Sequence, residues 1–214
     1  MALSYVAIAL CACALVSAAL ATWSQAASRR GLHLVTKPLA TALIIAVAAV
    51  AAAPVPAAYK TLVLAGLAFS LLGDVALMFP EKWFTAGLVS FLAAQILYIL
   101  AFRPQPGHPV SPMVFLPFVL YGLLMFFLLA PGLGKMKLPV LVYIAAITIM
   151  AGFAAGRFVD LGGTRPLLAF AGAVLFLISD SVLAYDRFAK KIGPAQILIL
   201  GTYFPAQLLI ALSI

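Results

Sequence analysis

The chain has 214 residues, of which 66% are hydrophobic and 8% charged, and its mean hydropathy is +1.23. A water-soluble domain carries roughly 25% charged residues, so this composition excludes one. The formal net charge of +8 could suggest a nucleic-acid partner, but the positive residues fall almost wholly between apolar runs, where they set membrane topology. We therefore expect an integral membrane protein that does not bind nucleic acid.

Eight apolar runs follow one another along the chain. A helix that crosses a bilayer needs about 20 mostly apolar residues, and each run approaches this length. The pattern predicts an all-α integral membrane fold, with residues 1–214 forming a single polytopic domain of eight transmembrane helices and short loops. The predicted spans are approximately 3–22, 38–55, 61–79, 84–102, 112–130, 138–155, 166–185 and 194–213.

The Lys and Arg residues are distributed unequally between the two sides of this arrangement. The segments next to the ends of the odd-numbered spans hold nine of them, and the opposite side holds four. Positive residues concentrate on the cytoplasmic side of a membrane protein. We therefore expect a multi-pass protein of the inner (plasma) membrane with both termini on the extracytoplasmic side.

The loop after the first span is the most basic segment. It contains Arg29 and His33 and ends in Lys37-Pro38. Proline is favoured in the first turn of a helix, so we expect Pro38 to open the second span and Lys37 to lie at its mouth, at headgroup level. Lys37 can bind an anionic group there, or it can serve only as a topology anchor that extends to the interface.

Two later spans each contain an aspartate within an apolar run. Asp74 and Asp180 each follow a small residue, and each has a Gly eight residues earlier and a Leu three residues later. An ionisable residue inside a membrane span is costly and indicates a functional site. The aspartates are 106 residues and four spans apart. This spacing predicts a parallel internal repeat of four helices plus four, the alternative being chance similarity between two apolar helices.

Other polar residues of the spans share helical faces. Each aspartate is five or six residues from the end of its apolar run, or roughly 8–9 Å below the cytoplasmic interface. We expect a cavity open to the cytoplasmic leaflet, with a basic mouth, the two carboxyls below it and amide and phenol groups on its floor. The residues predicted to line it besides the aspartates are Ser70, Gln95, Tyr98, Tyr203 and Gln207.

The sequence lacks the patterns of a metal or nucleophile site. Cys11 and Cys13 point to different faces of one helix, and the two histidines are expected in separate loops at 33 and 108. Neither four-ligand zinc spacing nor a Gly-x-Ser-x-Gly elbow occurs. We therefore expect a site without metal or cofactor. Nothing in the sequence sets an oligomeric state.

Two carboxyls in one dry pocket are not expected to be ionised together. One then donates a proton and the other acts as a carboxylate, a division used by enzymes that cleave acetal-like C–O bonds. Three alternatives stay open at this point. The aspartates can relay protons in a transporter of a lipid or small solute, they can belong to a lipid-binding protein without catalysis, or hydroxyl and backbone groups can satisfy them in a packed bundle.

The polar motifs, taken in order, resemble those of the YhhN / TMEM86 family from Lys37 to the C-terminus. They are Lys37-Pro38, Ser70-Leu-Leu-Gly-Asp74, Phe91 to Tyr98, Phe176-Leu-Ile-Ser-Asp180, and Thr202-Tyr203-Phe-Pro-Ala-Gln207. Characterised members are lysoplasmalogenases, which hydrolyse the vinyl ether bond of a lysoplasmalogen to a fatty aldehyde and glycerophosphoethanolamine or glycerophosphocholine.

The resemblance implies a lysophospholipid substrate taken from the membrane and site roles for the matching residues. Asp74 and Asp180 would be the acid and the carboxylate, in an order that the sequence leaves open, and Lys37, with Arg29, would meet the phosphate. The remaining polar residues would position water or substrate. The chain departs from the family pattern at Gln95, where a His is common, and Gln cannot transfer a proton at neutral pH.

Overall fold

The computed structural model describes residues 4–52, 55–104 and 109–214, and the expectation for His108 lies outside this part of the chain. Eight helices there are long and apolar enough to cross a membrane, as predicted. α5 is flanked by short 3-10 turns at Pro112–Val114 and Ala130–Gly132. The helices are α1 Tyr5–Ala26, α2 Arg30–Val50, α3 Ala57–Leu77, α4 Pro80–Phe102, α5 Leu116–Leu129, α6 Lys137–Leu161, α7 Thr164–Phe188 and α8 Ala195–Leu212.

Successive helices run in alternate directions because the connections between them are short. The connections after the odd-numbered helices lie together, and we call this side of the bundle the basic end. It comprises residues 27–29, 78–79, 130–136 and 189–194 together with the adjoining helix termini. The polar residues of the candidate site lie at or below this end.

Helices α3 and α4, α7 and α8, and α1 and α2 form the closest pairs, and α8 also packs against α1 and α2. Helix α6 packs against α4 and α7, whereas α5 lies at the periphery and packs mainly on α6 and α7. The mixture of small and aromatic residues explains the tight pairs, since a glycine lets a ring or a backbone approach closely. Gly73 leaves room for the ring of Phe91, and Gly172 leaves room for the backbone carbonyl of Ala206.

Helix α2 begins at Arg30, eight residues before Pro38, where the sequence placed its start. Lys37 therefore lies two turns inside the helix and is buried, which corrects the expectation that it sits at the helix mouth. His33, expected in a loop, is buried in the first turn of α2. The turn between α1 and α2 consists only of residues 27–29, so α2 begins directly after it. Pro38 consequently lies inside α2 and not in its first turn.

Candidate active site

Asp74 lies in the last turn of α3 and is 1% exposed. Its Oδ2 accepts hydrogen bonds from the Thr41 hydroxyl of α2 at 2.6 Å and from the Tyr203 phenol of α8 at 2.7 Å. The Nζ of Lys37 is 3.3 Å from Oδ1 and 3.3 Å from the backbone oxygen of Asp74. This carboxyl therefore has a buried cation and two hydroxyl donors around it.

Asp180 is on α7 and is half-buried in the wall of an apolar cleft. Its Oδ2 accepts a hydrogen bond from the Tyr143 phenol of α6 and one from Gln95 Nε2 of α4 at 3.4 Å. Within the described residues no Lys, Arg or His forms an ion pair with this carboxyl. Asp180 thus has neutral donors where Asp74 has a cation.

Gln95 is fully buried, and its amide is used only in part. Nε2 reaches Asp180, whereas Oε1 has no hydrogen-bond partner among the described residues. A buried acceptor without a partner is costly, on the order of 1–3 kcal/mol, and normally indicates a water, a ligand or a proton that completes it. The amide thus offers an acceptor beside the Asp180 carboxyl.

A third polar group lies one turn further from the basic end. The Tyr98 phenol donates to Gln207 Oε1 at 2.8 Å, and Gln207 Nε2 donates to the Ser70 hydroxyl at 3.0 Å. All three side chains are fully buried. Ser70, Tyr98 and Gln207 thus bond to one another, and we call them the polar layer, which lies one turn below Asp74.

A polar basin opens at the basic end above Lys37, with a volume of about 390 Å³. Arg30, His33 and Lys37 supply its basic groups, and the end of α1, the α1–α2 turn and Gln196 of α8 supply neutral polar groups. Arg29 is exposed and lines a separate shallow pocket with Trp23. The basin has the composition of an anion site.

An apolar cleft runs down from the same end between α4, α5, α6 and α7. Its walls are almost entirely hydrocarbon, with Asp180, Tyr143 and Ser181 as the polar exceptions. Leu77, the last residue of α3, lines both the cleft and the polar basin. The two spaces therefore meet at one side chain, one turn after Asp74.

The residues predicted from sequence fall into three groups and one outlier. Lys37 and Tyr203 contact Asp74, and Gln95 contacts Asp180. Ser70, Tyr98 and Gln207 form the polar layer. Arg29 contacts none of these groups and lines a different pocket. The prediction had placed the amides and phenols together on a deeper floor, but Tyr203 and Gln95 bond the carboxyls directly.

Sequence reasoning missed three further residues. They are Thr41 and Tyr143, which bond the carboxyls, and Arg30, which lines the basin. Two of them carried a signal in the sequence. Thr41 lies one helical turn after Lys37, and Tyr143 follows Lys37 by 106 residues, the same interval that separates the aspartates.

The sequence profile of the YhhN family matches residues 32–214. Human lysoplasmalogenase TMEM86B is 34% identical over 161 residues, which cover 72% of this chain and 64% of the relative. Bovine lysoplasmalogenase TMEM86A is 34% identical over 158 residues, covering 72% of this chain and 65% of the relative. The match thus spans less than two thirds of the length of these mammalian relatives.

A bacterial relative matches over nearly its whole length. The membrane protein YhhN of Escherichia coli O157:H7, named as uncharacterized, is 29% identical over 204 residues, covering 93% of this chain and 97% of the relative. No solved structure matches the chain.

Proposed function

Because the chain belongs to the YhhN family, whose mammalian relatives are named lysoplasmalogenases, we propose that it hydrolyses the vinyl ether bond of an alkenyl lysophospholipid. The products are a fatty aldehyde and a glycerophosphoethanolamine or glycerophosphocholine. One observation carries the proposal: the two carboxyls have unequal surroundings, Asp74 being paired with a cation of the basin and Asp180, in the wall of the cleft, having neutral donors only among the described residues.

Asp74 is the carboxylate in this proposal. An isolated buried charge is very unfavourable, but a buried charge with an opposite partner and hydrogen bonds is tolerated. Lys37 supplies the opposite charge, and Thr41 and Tyr203 both donate to the same oxygen. These three donors favour the ionised form.

Asp180 is the acid. Its cleft offers no counter-charge among the described residues, so the neutral form avoids the cost of an unpaired charge in apolar surroundings. Gln95 supports this assignment, because no described residue donates a hydrogen bond to its Oε1. The amide nitrogen and oxygen are interchangeable by rotation, and the rotated amide would accept the proton of Asp180 at the 3.4 Å contact.

The proposed reaction needs only these two groups and one water. Asp180 transfers its proton to the double-bond carbon that is not bonded to the ether oxygen. The electron pair of the double bond forms the new C–H bond, and the other carbon becomes part of an oxocarbenium ion. Water attacks the carbon next to oxygen and gives its proton to Asp74. In the resulting hemiacetal, Asp74 returns that proton to the glycerol oxygen as the C–O bond breaks. The Asp180 carboxylate removes the hydroxyl proton, which yields the aldehyde and restores both groups.

The remaining polar residues position the reactants. Once Asp180 has given up its proton and the amide has rotated back, Gln95 Oε1 is an acceptor for the attacking water, a role that needs no proton transfer by the amide and is compatible with the absence of the His common in the family. The layer of Ser70, Tyr98 and Gln207 holds the Asp74 segment of α3 from below.

The basin supports binding of the phosphate of the headgroup. Lys37 belongs both to the basin and to the Asp74 pair, so it links the phosphate to the carboxylate. Arg30 and His33 join it in the basin. The role predicted for Arg29 stays a prediction, and the position of Arg30 makes it the stronger candidate for that role.

The test is aldehyde release from an alkenyl lysophospholipid by the purified protein in detergent. We expect turnover by the wild type and a loss of roughly 10²-fold or more in Asp74→Asn and in Asp180→Asn, the range for removal of a general acid or base. Asp186→Asn is the matched control, because Asp186 lies on α7 six residues after Asp180 and pairs with the exposed Lys191. It should turn over at the wild-type rate.

The possible results separate this function from its rivals. Normal turnover in both Asn variants would refute the carboxyl mechanism. A folded wild type that releases no aldehyde in detergent, but moves solute or lipid across a sealed membrane in an Asp-dependent way, would refute the hydrolase and favour a proton-coupled transporter. Binding of the lysolipid with neither activity would favour a lipid-binding protein.

A further inference from the structure

A second groove lies between α1 and α8, on a part of the molecule that shares no lining residue with the apolar cleft. Its floor consists of the buried residues Ala18, Leu200 and Phe204, and exposed side chains such as Leu15 and Ile197 form its sides. We call it the α1–α8 groove, and its volume is about 520 Å³. Because its sides are exposed and apolar, this groove faces the hydrocarbon chains of the surrounding lipid.

The α1–α8 groove has the length of one lipid leaflet. Leu15 and Ala26 are the groove residues furthest apart on α1, and the eleven residues between their positions correspond to roughly 16 Å along the helix axis. The hydrocarbon core of a bilayer is about 30 Å thick, so one leaflet supplies about half of it. The groove starts at the basic end, where α1 ends and α8 begins. It therefore fits an acyl chain of one leaflet, whereas a partner helix would need contact through the whole core.

The groove leads into a basic pocket at Trp23. This side chain lines the groove and also a pocket of about 360 Å³ that contains Arg29 and Arg30, which we call the arginine pocket. Trp23 is exposed, and tryptophan is enriched at the headgroup level of membrane proteins. Neither guanidinium forms an ion pair with a carboxylate of the described residues. Two uncompensated positive charges thus lie at the mouth of an apolar groove.

Charge complementarity selects the occupant of this groove and pocket. A guanidinium can bind a phosphate through two parallel hydrogen bonds, and basic pockets between transmembrane helices recognise anionic lipid headgroups. The phosphate of a zwitterionic lipid is compensated by its own ammonium group, and an apolar helix offers the arginines no partner. A phospholipid with a net negative charge matches both the groove and the pocket.

We propose that the α1–α8 groove and the arginine pocket together bind one anionic phospholipid of the membrane, with an acyl chain in the groove and the phosphate at Arg29 and Arg30. This lipid is not the substrate of the two carboxyls, because among the described residues no side chain of the groove lines the polar basin or the cleft. Arg30 lines both the arginine pocket and the basin, whereas Arg29 lines the pocket alone. The site is therefore independent of the proposed function.

The test compares two photoreactive lipids that differ only in the headgroup. Phosphatidylglycerol or phosphatidylcholine with a diazirine in the middle of one acyl chain is added, at the same mole fraction, to the full-length protein in phosphatidylcholine nanodiscs. After irradiation the labelled residues are mapped by mass spectrometry. We expect the phosphatidylglycerol analogue to label residues 15–26 and 197–205 at least fivefold more than the phosphatidylcholine analogue, because each basic residue near the headgroup contributes about a fivefold preference.

Arg29→Gln should lower this preference about fivefold. Its matched control is Arg187→Gln, which removes the same charge from an exposed arginine at the same end of the bundle and should leave the preference unchanged. Asp180→Asn should also leave it unchanged, since the lipid does not reach the carboxyls. That variant separates the two proposals: failure of the hydrolase leaves the labelling intact, and failure of the lipid site leaves aldehyde release intact.

A second variant tests the groove itself. Among the described residues no atom outside α8 lies within 4 Å of a Cβ added at Gly201, so the ring of Gly201→Trp can enter the groove without displacing a helix. It should reduce labelling of the groove by the phosphatidylglycerol analogue at least fivefold. Val16→Trp is the matched control, because Val16 is 60% exposed on α1 and does not line the groove.

Three results would overturn the proposal. Equal labelling by the two lipids would mean that the groove only contacts the general membrane lipid. An equal loss of preference in Arg29→Gln and Arg187→Gln would mean that the overall charge of the basic end attracts the lipid. Labelling by neither lipid, together with a dimer in the nanodisc, would mean that a second copy of the chain covers the groove.

Discussion

Lys37 and Lys191 each form an ion pair with an aspartate, but the surroundings of the two pairs differ. Lys37 and Asp74 are 9% and 1% exposed in their side chains, whereas Lys191 is 78% exposed. An exposed pair contributes at most about 1 kcal/mol, because water and salt screen it. Removal of one partner from a buried pair leaves an uncompensated charge and costs about 3–5 kcal/mol.

Replacement of Lys37 therefore tests whether Asp74 is ionised. We expect Lys37→Met to lower the free energy of unfolding by about 3–5 kcal/mol, and Lys191→Met to change it by less than about 1 kcal/mol. The double variant Lys37→Met/Asp74→Asn should recover most of the lost stability, because it removes both charges, while remaining inactive. Thermal unfolding followed by tryptophan fluorescence in detergent measures the order of the midpoints.

Equal midpoints for Lys37→Met and Lys191→Met would contradict the assignment of Asp74 as the carboxylate. A double variant no more stable than Lys37→Met would mean that the lysine stem contributes through packing rather than through its charge.

At the residue level the sequence identified the aspartates because a carboxyl in an apolar span is conspicuous by itself. It did not identify Tyr143 as a partner of Asp180, because a tyrosine in an apolar helix is common and its hydroxyl acquires a role only when α6 packs beside α7. The misplacement of Lys37 has a similar origin. Proline in a first turn is a local preference, whereas the start of α2 at Arg30 depends on the short turn before it.

Among the helices, the α3–α4 and α7–α8 pairs hold the site in place. Gly66 of α3 and Gly172 of α7 are 106 residues apart, and each allows a close approach within its own pair. Gly66 admits the ring of Tyr98, which belongs to the polar layer. Gly172 lets α8 pack closely against α7, and in this position Tyr203 of α8 reaches Asp74.

Gly172→Ala tests how strongly the α7–α8 contact depends on this approach. The added Cβ would lie 2.8 Å from the backbone oxygen of Ala206, which cannot move unless α8 moves. We expect a loss of about 1–3 kcal/mol in the free energy of unfolding, the usual cost of overpacking, and reduced turnover as Tyr203 shifts.

Gly201→Ala on α8 is the matched control for this substitution. Within the described part of the chain no atom outside its own helix lies within 4 Å of a Cβ added there, so the change should raise stability by up to about 1 kcal/mol through helix propensity. Thermal unfolding midpoints of Gly172→Ala and Gly201→Ala measure this difference in stability. A Gly172→Ala protein as stable as Gly201→Ala would show that the helices separate at little cost.

The sequence predicted the number of helices because each apolar run is continuous and charged or proline-rich segments divide them. It was less accurate at the helix ends. α6 continues to Leu161 and α7 to Phe188, beyond the ends of the predicted spans at 155 and 185. Polar residues can extend a helix past the hydrocarbon region, so an apolar run underestimates helix length.

For the whole molecule, the donors to the two carboxyls follow one pattern. Asp74 accepts from α2 and α8, and Asp180 accepts from α6 and α4. In a repeat of four helices plus four, each carboxyl then has one donor from the second helix of its own half and one from the fourth helix of the other half. This pattern supports the proposed repeat, whose halves would be related by an axis along the membrane normal.

The repeat would also explain how the two carboxyls became different. Lys37 and Tyr143 occupy corresponding positions, 106 residues apart, and each contacts the aspartate of its own half. Two equal carboxyls give no preference for which one donates a proton. A cation at one position and a phenol at the other would supply that preference in the proposed mechanism.

The orientation of the whole molecule decides which leaflet supplies the substrate. We expect the basic end to face the cytoplasm, because it carries most of the Lys and Arg residues. Lys135, in the α5–α6 connection, is exposed at that end, and Thr164, the first residue of α7, is exposed at the opposite end. A cysteine at either position therefore reports one side of the membrane.

The experiment starts from a chain in which Cys11 and Cys13 are replaced by Ala, and it adds Lys135→Cys or Thr164→Cys. A membrane-impermeant maleimide should label Thr164→Cys in intact cells, and Lys135→Cys only after the membrane is permeabilised. The reverse result would mean that the orientation in the membrane is opposite to the predicted one, with the basin and the cleft at the extracytoplasmic leaflet. The carboxyl chemistry would be unchanged in that case, because it depends on Lys37 and Tyr143 and not on the side from which the lipid arrives.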